Sequence, residues 1–370
     1  MGAISSALHH CRAGVGTPQP ARDHTVRIRL LTSTPLDIRR GSGTYVGIAV
    51  LARALRNLGH EVAIETPQVR LPVYTAERLV FNRGLQWAAG YDRTVGFDMD
   101  GYRIAGHAGH VASLKGVIAD EVRFERGLTR FTMGIQAGCE RLHVLRAPRV
   151  IVTSRYCAAQ VRSLYGPSRE PLVVPELIDL AEWRAALAGG DAAGSAGRFR
   201  VLFVGRLYLR KRVDVLLRAA AMLGGRIPDL EVRIVGDGPC ASGLRQLAAE
   251  LEAGRSVTFL GDVSRAQLVE EYRAASVFCL PSVQEGFGIV LLEAMAAAKP
   301  IVASRAAAIP EVAPHATLVE PDSPEALASG IESVYRSPQI RAQQSRAGAA
   351  RVDEFDAPRV ARLFCDAIEG

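Results

Sequence analysis

The stretch from Glu285 to Lys299, EGFGIVLLEAMAAAK, opens with a carboxylate and turns on two glycines around Phe287. It then enters an apolar run carrying a second carboxylate, Glu293. The first amides of a helix have no intrahelical acceptor, and the helix dipole favours negative charge there. The free amides where the helix begins would therefore make a ready anion site. Glycine on either side of Phe287 would let a bulky ligand approach the backbone. A phosphate cradle with a carboxylate at each end fits a diphosphate that carries a hydroxyl-rich group on both sides, as a sugar nucleotide does. An ordinary strand–turn–helix with one exposed and one capping glutamate accounts for the spacing equally well.

Two further loops of the second half carry related chemistry. VGRLYLRK places Gly205 and Arg206 after a β-branched run and Lys211 five residues later, and VGDGP (235–239) is another glycine loop after a strand-like run. Two cations beside a helix N-terminus would neutralise a diphosphate without a metal, through charge-assisted hydrogen bonds. Only three of the 45 basic residues are lysines, Lys115, Lys211 and Lys299. A chain that writes arginine nearly everywhere makes each lysine a position to examine, since the two cations bind differently.

The elements that must hold these loops alternate in both halves. VRIRLLTS, EVAIET, TVGFDMD, HVASLKG and RVIVTS read as strands of the first half, with helices predicted over 45–58 and 119–145. RVLFVG, LEVRIVG, SVTFLG, SVFCLPS and PIVAS are strands of the second, with helices over 213–223, 242–253, 264–274 and 289–298. Such alternation predicts an α/β chain of two Rossmann-like, doubly wound parallel sheets facing across a cleft, with ligands beyond the carboxyl ends of the strands. The domains fall at 25–186 and 199–340, joined by a glycine- and alanine-rich linker at 187–198. Residues 1–24 form a disordered extension, and 341–370 a C-terminal helix that packs back on the first domain.

Composition narrows the function classes. At 370 residues and 48% hydrophobic, the chain can build two cores. No apolar run reaches transmembrane length, and the first two dozen residues lack a signal-peptide core. The six cysteines are widely spaced, which argues against a metal cluster or disulfide framework and for a reducing, cytoplasmic setting. Through residue 180 there are 23 basic against 15 acidic residues, and beyond it 22 against 23. The basic first half permits a peripheral contact with the inner face of a membrane or with a phosphorylated acceptor. Its arginines are scattered and bring no nucleic-acid motif, so no nucleic-acid partner is expected.

As a set, GRLYLRKRVDVLL, VGDGP and FLGDVSRAQLVEEYRAASVFCLPSVQEGFGIVLLEAMAAAKPIVAS, followed by IPEV and LVEP, resemble the nucleotide-sugar domain of glycosyltransferase family 4. The similarity covers residues 200–335; GSGTYVGIAVLARALRNLGHEV and VIVTSRYCAAQVRSLYG extend it more thinly into the first half. The resemblance implies the GT-B fold, a nucleotide-diphosphate sugar as donor, retention of anomeric configuration and no metal or other cofactor. It implies that Glu293 holds the ribose hydroxyls, Glu285 faces the donor sugar, and the amides from Phe287 to Val290 meet phosphates and sugar. Arg206 and Lys211, after Gly205, would stabilise the departing diphosphate; Gly43 would close over the phosphates from a first-domain loop; Val263 would receive the base. Lys115 stands where the family usually carries histidine, and an ammonium there would still donate to a sugar hydroxyl or a developing oxyanion. His107 and His110 would compensate for the missing imidazole. PELID replaces the family's PNGID, and Ala298 its usual glycine before Lys-Pro; both read as local backbone changes.

Asp98 and Asp100 end a first-domain strand and are candidate acceptor contacts, or simply a hydrated loop; their resemblance to a metal-binding Asp-x-Asp is too short to carry a metal site. The expected partners are a small-molecule donor and a glycan, lipid-linked or small-molecule acceptor, with Tyr74, Phe81, Trp87 and Tyr91 of the 67–93 region near an acceptor pocket or packing a helix. The leading expectation is a retaining glycosyltransferase. A GT-B phosphorylase or epimerase, or a non-catalytic nucleotide-sugar binder, would carry much the same donor loops.

Overall fold

The computed structural model describes residues 25–34, 43–167, 169–189, 197–251 and 256–370. Its first sheet has the order β2-β1-β3-β4-β5-β6. These strands are β1 (Arg27–Leu31), β2 (Glu61–Glu65), β3 (Arg93–Phe97), β4 (His110–Leu114), β5 (Arg149–Val152) and β6 (Leu172–Val173). The second sheet runs β12-β11-β10-β7-β8-β9. It comprises β7 (Phe199–Val204), β8 (Leu230–Val235), β9 (Val257–Gly261), β10 (Val277–Leu280), β11 (Ile301–Ser304) and β12 (Thr317–Val319). Every strand pair in both sheets is parallel. The order reverses between β1 and β3 and again between β7 and β10, so each sheet is doubly wound, as expected. Near-continuous burial of β4, β7 and β10 follows from helices on both faces.

The first-domain helices are α1 (Gly43–Asn57), α2 (Tyr74–Gly84), the single turn α3 (Ile118–Glu121), α4 (Gly127–Arg146) and α5 (Arg155–Tyr165). The expected continuous helix over 119–145 is broken. Arg126 is extended and Gly127 sits at φ 54°, ending a 3-10 turn at 122–124 and restarting the chain as α4. After α6 (Leu180–Ala188) the second domain adds α7 (Val213–Leu223), α8 (Ala241–Glu250), α9 (Arg265–Ala274), α10 (Ile289–Ala296), the single turn α11 (Ile309–Val312) and α12 (Pro324–Arg336). The chain closes with α13 (Pro338–Arg351) and α14 (Ala357–Glu369).

Two boundaries differ from the sequence expectation. Leu177 belongs to the first core but Ile178, Leu180 and Trp183 to the second, so the chain changes domain before α6 rather than at the glycine-rich stretch. The cause is burial: Leu180 and Trp183 of α6 pack into the second core, beside α9 and α10. The tail is two helices, not one. α13 stays with the second domain, Phe355 still lies in its core, and α14 crosses to bury Val360, Ala361, Phe364 and Ile368 against the core of β1 and α1. Outgoing and returning chains are bonded to each other: Ile178 N–H donates to the Phe355 carbonyl (3.0 Å) and Ala357 N–H to the Ile178 carbonyl (2.9 Å). The expected extension 1–24, the core of the linker at 190–196 and the glycine loop ahead of Gly43 lie outside the described residues.

Candidate active site

The loops after β7 and β10 meet where the second sheet reverses, at the carboxyl ends of the strands, the position favoured for ligands. Val283 N–H donates to the Arg210 carbonyl (2.9 Å), and Lys211 Nζ lies 2.7 Å from Glu285 Oε1. Both side chains are largely buried, so the two expected site residues neutralise one another. Arg206 is half-buried, and its side chain has no hydrogen-bond or ion-pair partner among the described residues. Gly288, at φ 88°, precedes α10, whose first amides have no side-chain cap, while Leu291 N–H returns to the Gly288 carbonyl (2.9 Å). Phe287 contributes backbone alone, since its ring is buried edge-on against Phe355. Glu293 lies on α10, where Tyr272 donates to its Oε2 (2.9 Å) and Arg265 stands 4.0 Å from Oε1. Burial raises its pKa to about 7, against the pull of those two partners. Val263 is half-buried after β9, packed on the second core.

Several glycines expected to admit a ligand instead admit backbone. A Cβ on Gly286 would fall 2.9 Å from Gly116 Cα and from the Lys115 carbonyl oxygen, across the domain boundary. The Gly286 carbonyl accepts from Ser154 Oγ (2.7 Å) and Thr153 Oγ1 (3.3 Å). Ser154 is also the N-cap of α5, accepting from Cys157 N–H. In the VGDGP loop, a Cβ on Gly236 would meet the Gly205 carbonyl at 2.1 Å, and one on Gly238 the Leu207 amide at 2.7 Å. Gly43 is the first residue of α1.

On the first-domain face, Lys115 does not point an unpaired ammonium at the cleft. Its Nζ is 2.9 Å from Glu176 Oε2 with both side chains buried, and it lies over the Phe97 ring. Gly47 of α1 makes room for the pair, because a Cβ there would sit 2.7 Å from Glu176 Oε2. The two departures at Lys115 and in PELID are thus one ion pair. Asp98, at φ 53°, accepts from the Lys115 amide (2.9 Å), and burial raises its pKa to about 6 despite Arg78 and that amide. Asp100 is fully buried and committed: its oxygens accept from Ser33 N–H and Oγ, Asn82 Nδ2 and Arg78. An acceptor role for Asp100 is therefore ruled out by its own hydrogen bonds. His110 and His107 are corrected too. His110 begins β4, at the end remote from Lys115, buried with its ring 2.7 Å from His143 and its pKa lowered to about 2 by that burial. His107 is exposed and stacked on Trp87 at 4.3 Å.

Between the domains lies a cavity of about 830 Å³. Thr34, Asp98 and Lys115 line it from the first domain and Arg206, Tyr208 and Arg210 from the second; Tyr74 is also part of its wall. The carboxylates Glu285 and Glu293 are not among its lining residues. Arg210, which the sequence reading passed over between Arg206 and Lys211, bridges the domains through Glu121 (3.0 Å) and Glu125 (3.2 Å). Three basic residues within six positions was the available signal. Among the described residues, no three histidine, cysteine, aspartate or glutamate side chains cluster as metal ligands.

Residues 193–351 match the family model described as glycosyl transferases group 1. Among curated proteins, the chain is 34% identical over 228 residues to D-inositol 3-phosphate glycosyltransferase of Pseudarthrobacter chlorophenolicus, covering 59% of this chain and 54% of that protein. The chain thus spans about half the length of the curated relatives it matches. Among solved structures, sucrose-phosphate synthase from Thermosynechococcus elongatus superposes with a TM-score of 0.75 at 22% identity, over 92% of this chain and 98% of that one. Anabaena HepE, in complex with UDP and glucose, gives 0.69 at 18% identity, over 93% and 99%. At these identities the likeness establishes the fold, the two-domain GT-B architecture.

Proposed function

We propose, from the match of residues 193–351 to the glycosyl transferases group 1 model, that this chain moves a sugar from a nucleotide diphosphate to an acceptor hydroxyl. The observation that carries the reading is the unpaired Arg206 beside the uncapped start of α10 and the Lys211–Glu285 pair, all at the reversal of the second sheet. The D-inositol 3-phosphate glycosyltransferases support sugar transfer, and the UDP complex of HepE supports a nucleotide diphosphate.

In this reading the bond between the anomeric carbon and the diphosphate oxygen breaks, and its electron pair leaves with the diphosphate. Arg206, Lys211 and the amides of Ile289 and Val290 stabilise that developing charge, which suits metal-independent transfer. The acceptor hydroxyl reaches the same carbon from the cavity. Asp98, half-buried in the cavity wall with its pKa raised to about 6 by burial, takes the hydroxyl proton. Glu293 accepts from the ribose, and Glu285 orients the sugar once the donor displaces or shares Lys211. Attack on the face the diphosphate leaves would retain configuration.

A thermal-shift screen against UDP, GDP, ADP and TDP and their sugars, without and with manganese, tests the donor. One nucleotide should raise the melting temperature by mass action, equally in both conditions. Product anomeric configuration, read by proton NMR, tests retention. Absence of any shift would overturn the donor site; binding followed by turnover without an acceptor would favour an epimerase.

A further inference from the structure

We propose that α4 is a membrane-docking helix, seated flat on an anionic lipid surface beside the mouth of the cavity. Leu128, Phe131, Ile135, Leu142 and Leu145 recur at three- and four-residue steps, with only Gly138 between, and form one stripe along the helix. The stripe faces solvent: Leu128 is 76% exposed, Phe131 66%, and the other three 38–39%. Five large apolar side chains on one exposed helix face are not scattered surface residues, and such a patch marks a contact surface.

Charge selects the partner. Arg126, Arg130, Arg141 and Arg146 are exposed along the same helix and have no ion-pair partner among the described residues. Its one acidic side chain, Glu140, is buried facing inward, where Tyr165 donates to it. An apolar stripe edged with arginines and free of exposed carboxylates is complementary to anionic headgroups above acyl chains. The alternative of a second copy would place these arginines against identical arginines. With 20 residues α4 extends about 30 Å. No helix among the described residues is long and apolar enough to cross a membrane, so α4 lies on the surface rather than through it. Leu128, at one end of the stripe, also lines the cavity, which would put the docked surface next to the acceptor.

Co-sedimentation of the full chain with vesicles tests this without any donor or acceptor, and so stands apart from the sugar-transfer reading. Vesicles of phosphatidylglycerol mixed with phosphatidylcholine should carry the protein down, and pure phosphatidylcholine should not. Phe131→Ser with Ile135→Ser should lower binding at least about tenfold, because each removes a buried apolar side chain from the lipid. Arg130→Gln with Arg141→Gln should weaken binding to anionic vesicles and reduce its sensitivity to salt. These exposed substitutions should leave the melting temperature unchanged. No binding to anionic vesicles, equal binding to neutral ones, or binding unaffected by the stripe variants would overturn the proposal. So would a self-association lost on Phe131→Ser in a protein that ignores vesicles, which would make the face a contact between copies.

Discussion

Two buried charges at the site make opposite demands. Lys115 and Glu176 are buried against each other, and removing one partner strands the other. Lys115→Met should therefore cost about 3–5 kcal/mol in urea unfolding, and adding Glu176→Gln should recover a large part of it. A lysine whose task was to touch substrate would instead lose turnover with stability intact. Glu293 has a pKa of about 7 against an ordinary 4.5. Its folded form keeps a proton the unfolded chain releases, so it contributes stability below about pH 4.5 that is lost as pH rises through about 7. Relative to Glu293→Gln, the parent protein should lose up to about 3 kcal/mol between pH 4 and pH 8. Equal pH dependence in the two would place Glu293 in a more solvated site. Asp98→Asn should abolish transfer, and the parent's acid limb should fall near pH 6, where that carboxyl takes up its proton.

At the scale of elements, glycines fasten loops to one another more than they open space. Gly286→Ala would drive a methyl into the Gly116 backbone, so it should separate the domains and lower both melting temperature and donor affinity. The reverse experiment is available at Ala298, which follows the C-cap of α10 at φ 51°, a conformation that glycine adopts without cost. Ala298→Gly should stabilise the fold by about 0.5–1 kcal/mol, read from denaturant midpoints; an unchanged midpoint would mean the strain is relieved by the neighbouring Lys-Pro turn. That departure from the family pattern was legible as a residue, and only its dihedral angle shows it to be a strained one.

Across the whole molecule, the two domains are held by paired crossings and a latch. Ile178 and Phe355–Ala357 form the crossings, with Asp356 Oδ1 accepting from both Ala357 N–H and Leu180 N–H. Arg210 with Glu121 and Glu125 forms the latch near the cavity. α14 belongs in sequence to the second domain and in packing to the first. Phe364→Ala, which empties a site in the first core, should cost about 3–5 kcal/mol and loosen a domain whose chain ends at Leu177. Hydrogen exchange should show the loss in β1 and α1; protection unchanged there would mean α14 is not integral to that core.

The sequence by itself determined the two parallel sheets, because their apolar runs and helical periods are local patterns that must each be buried. It also marked the loops after β7 and β10 that meet where the second sheet reverses, since the spacing of glycine, cation and carboxylate along each segment survives into the fold. Pairings between distant residues were decided only in three dimensions. That Lys115 meets Glu176, that Asp100 is already satisfied by Ser33 and Asn82, and that Gly286 lies against the backbone of Gly116 all depend on packing between segments far apart in sequence. So does the placing of His107 and His110 away from Lys115: nearness along the chain became distance, because an extended strand carries its two ends apart.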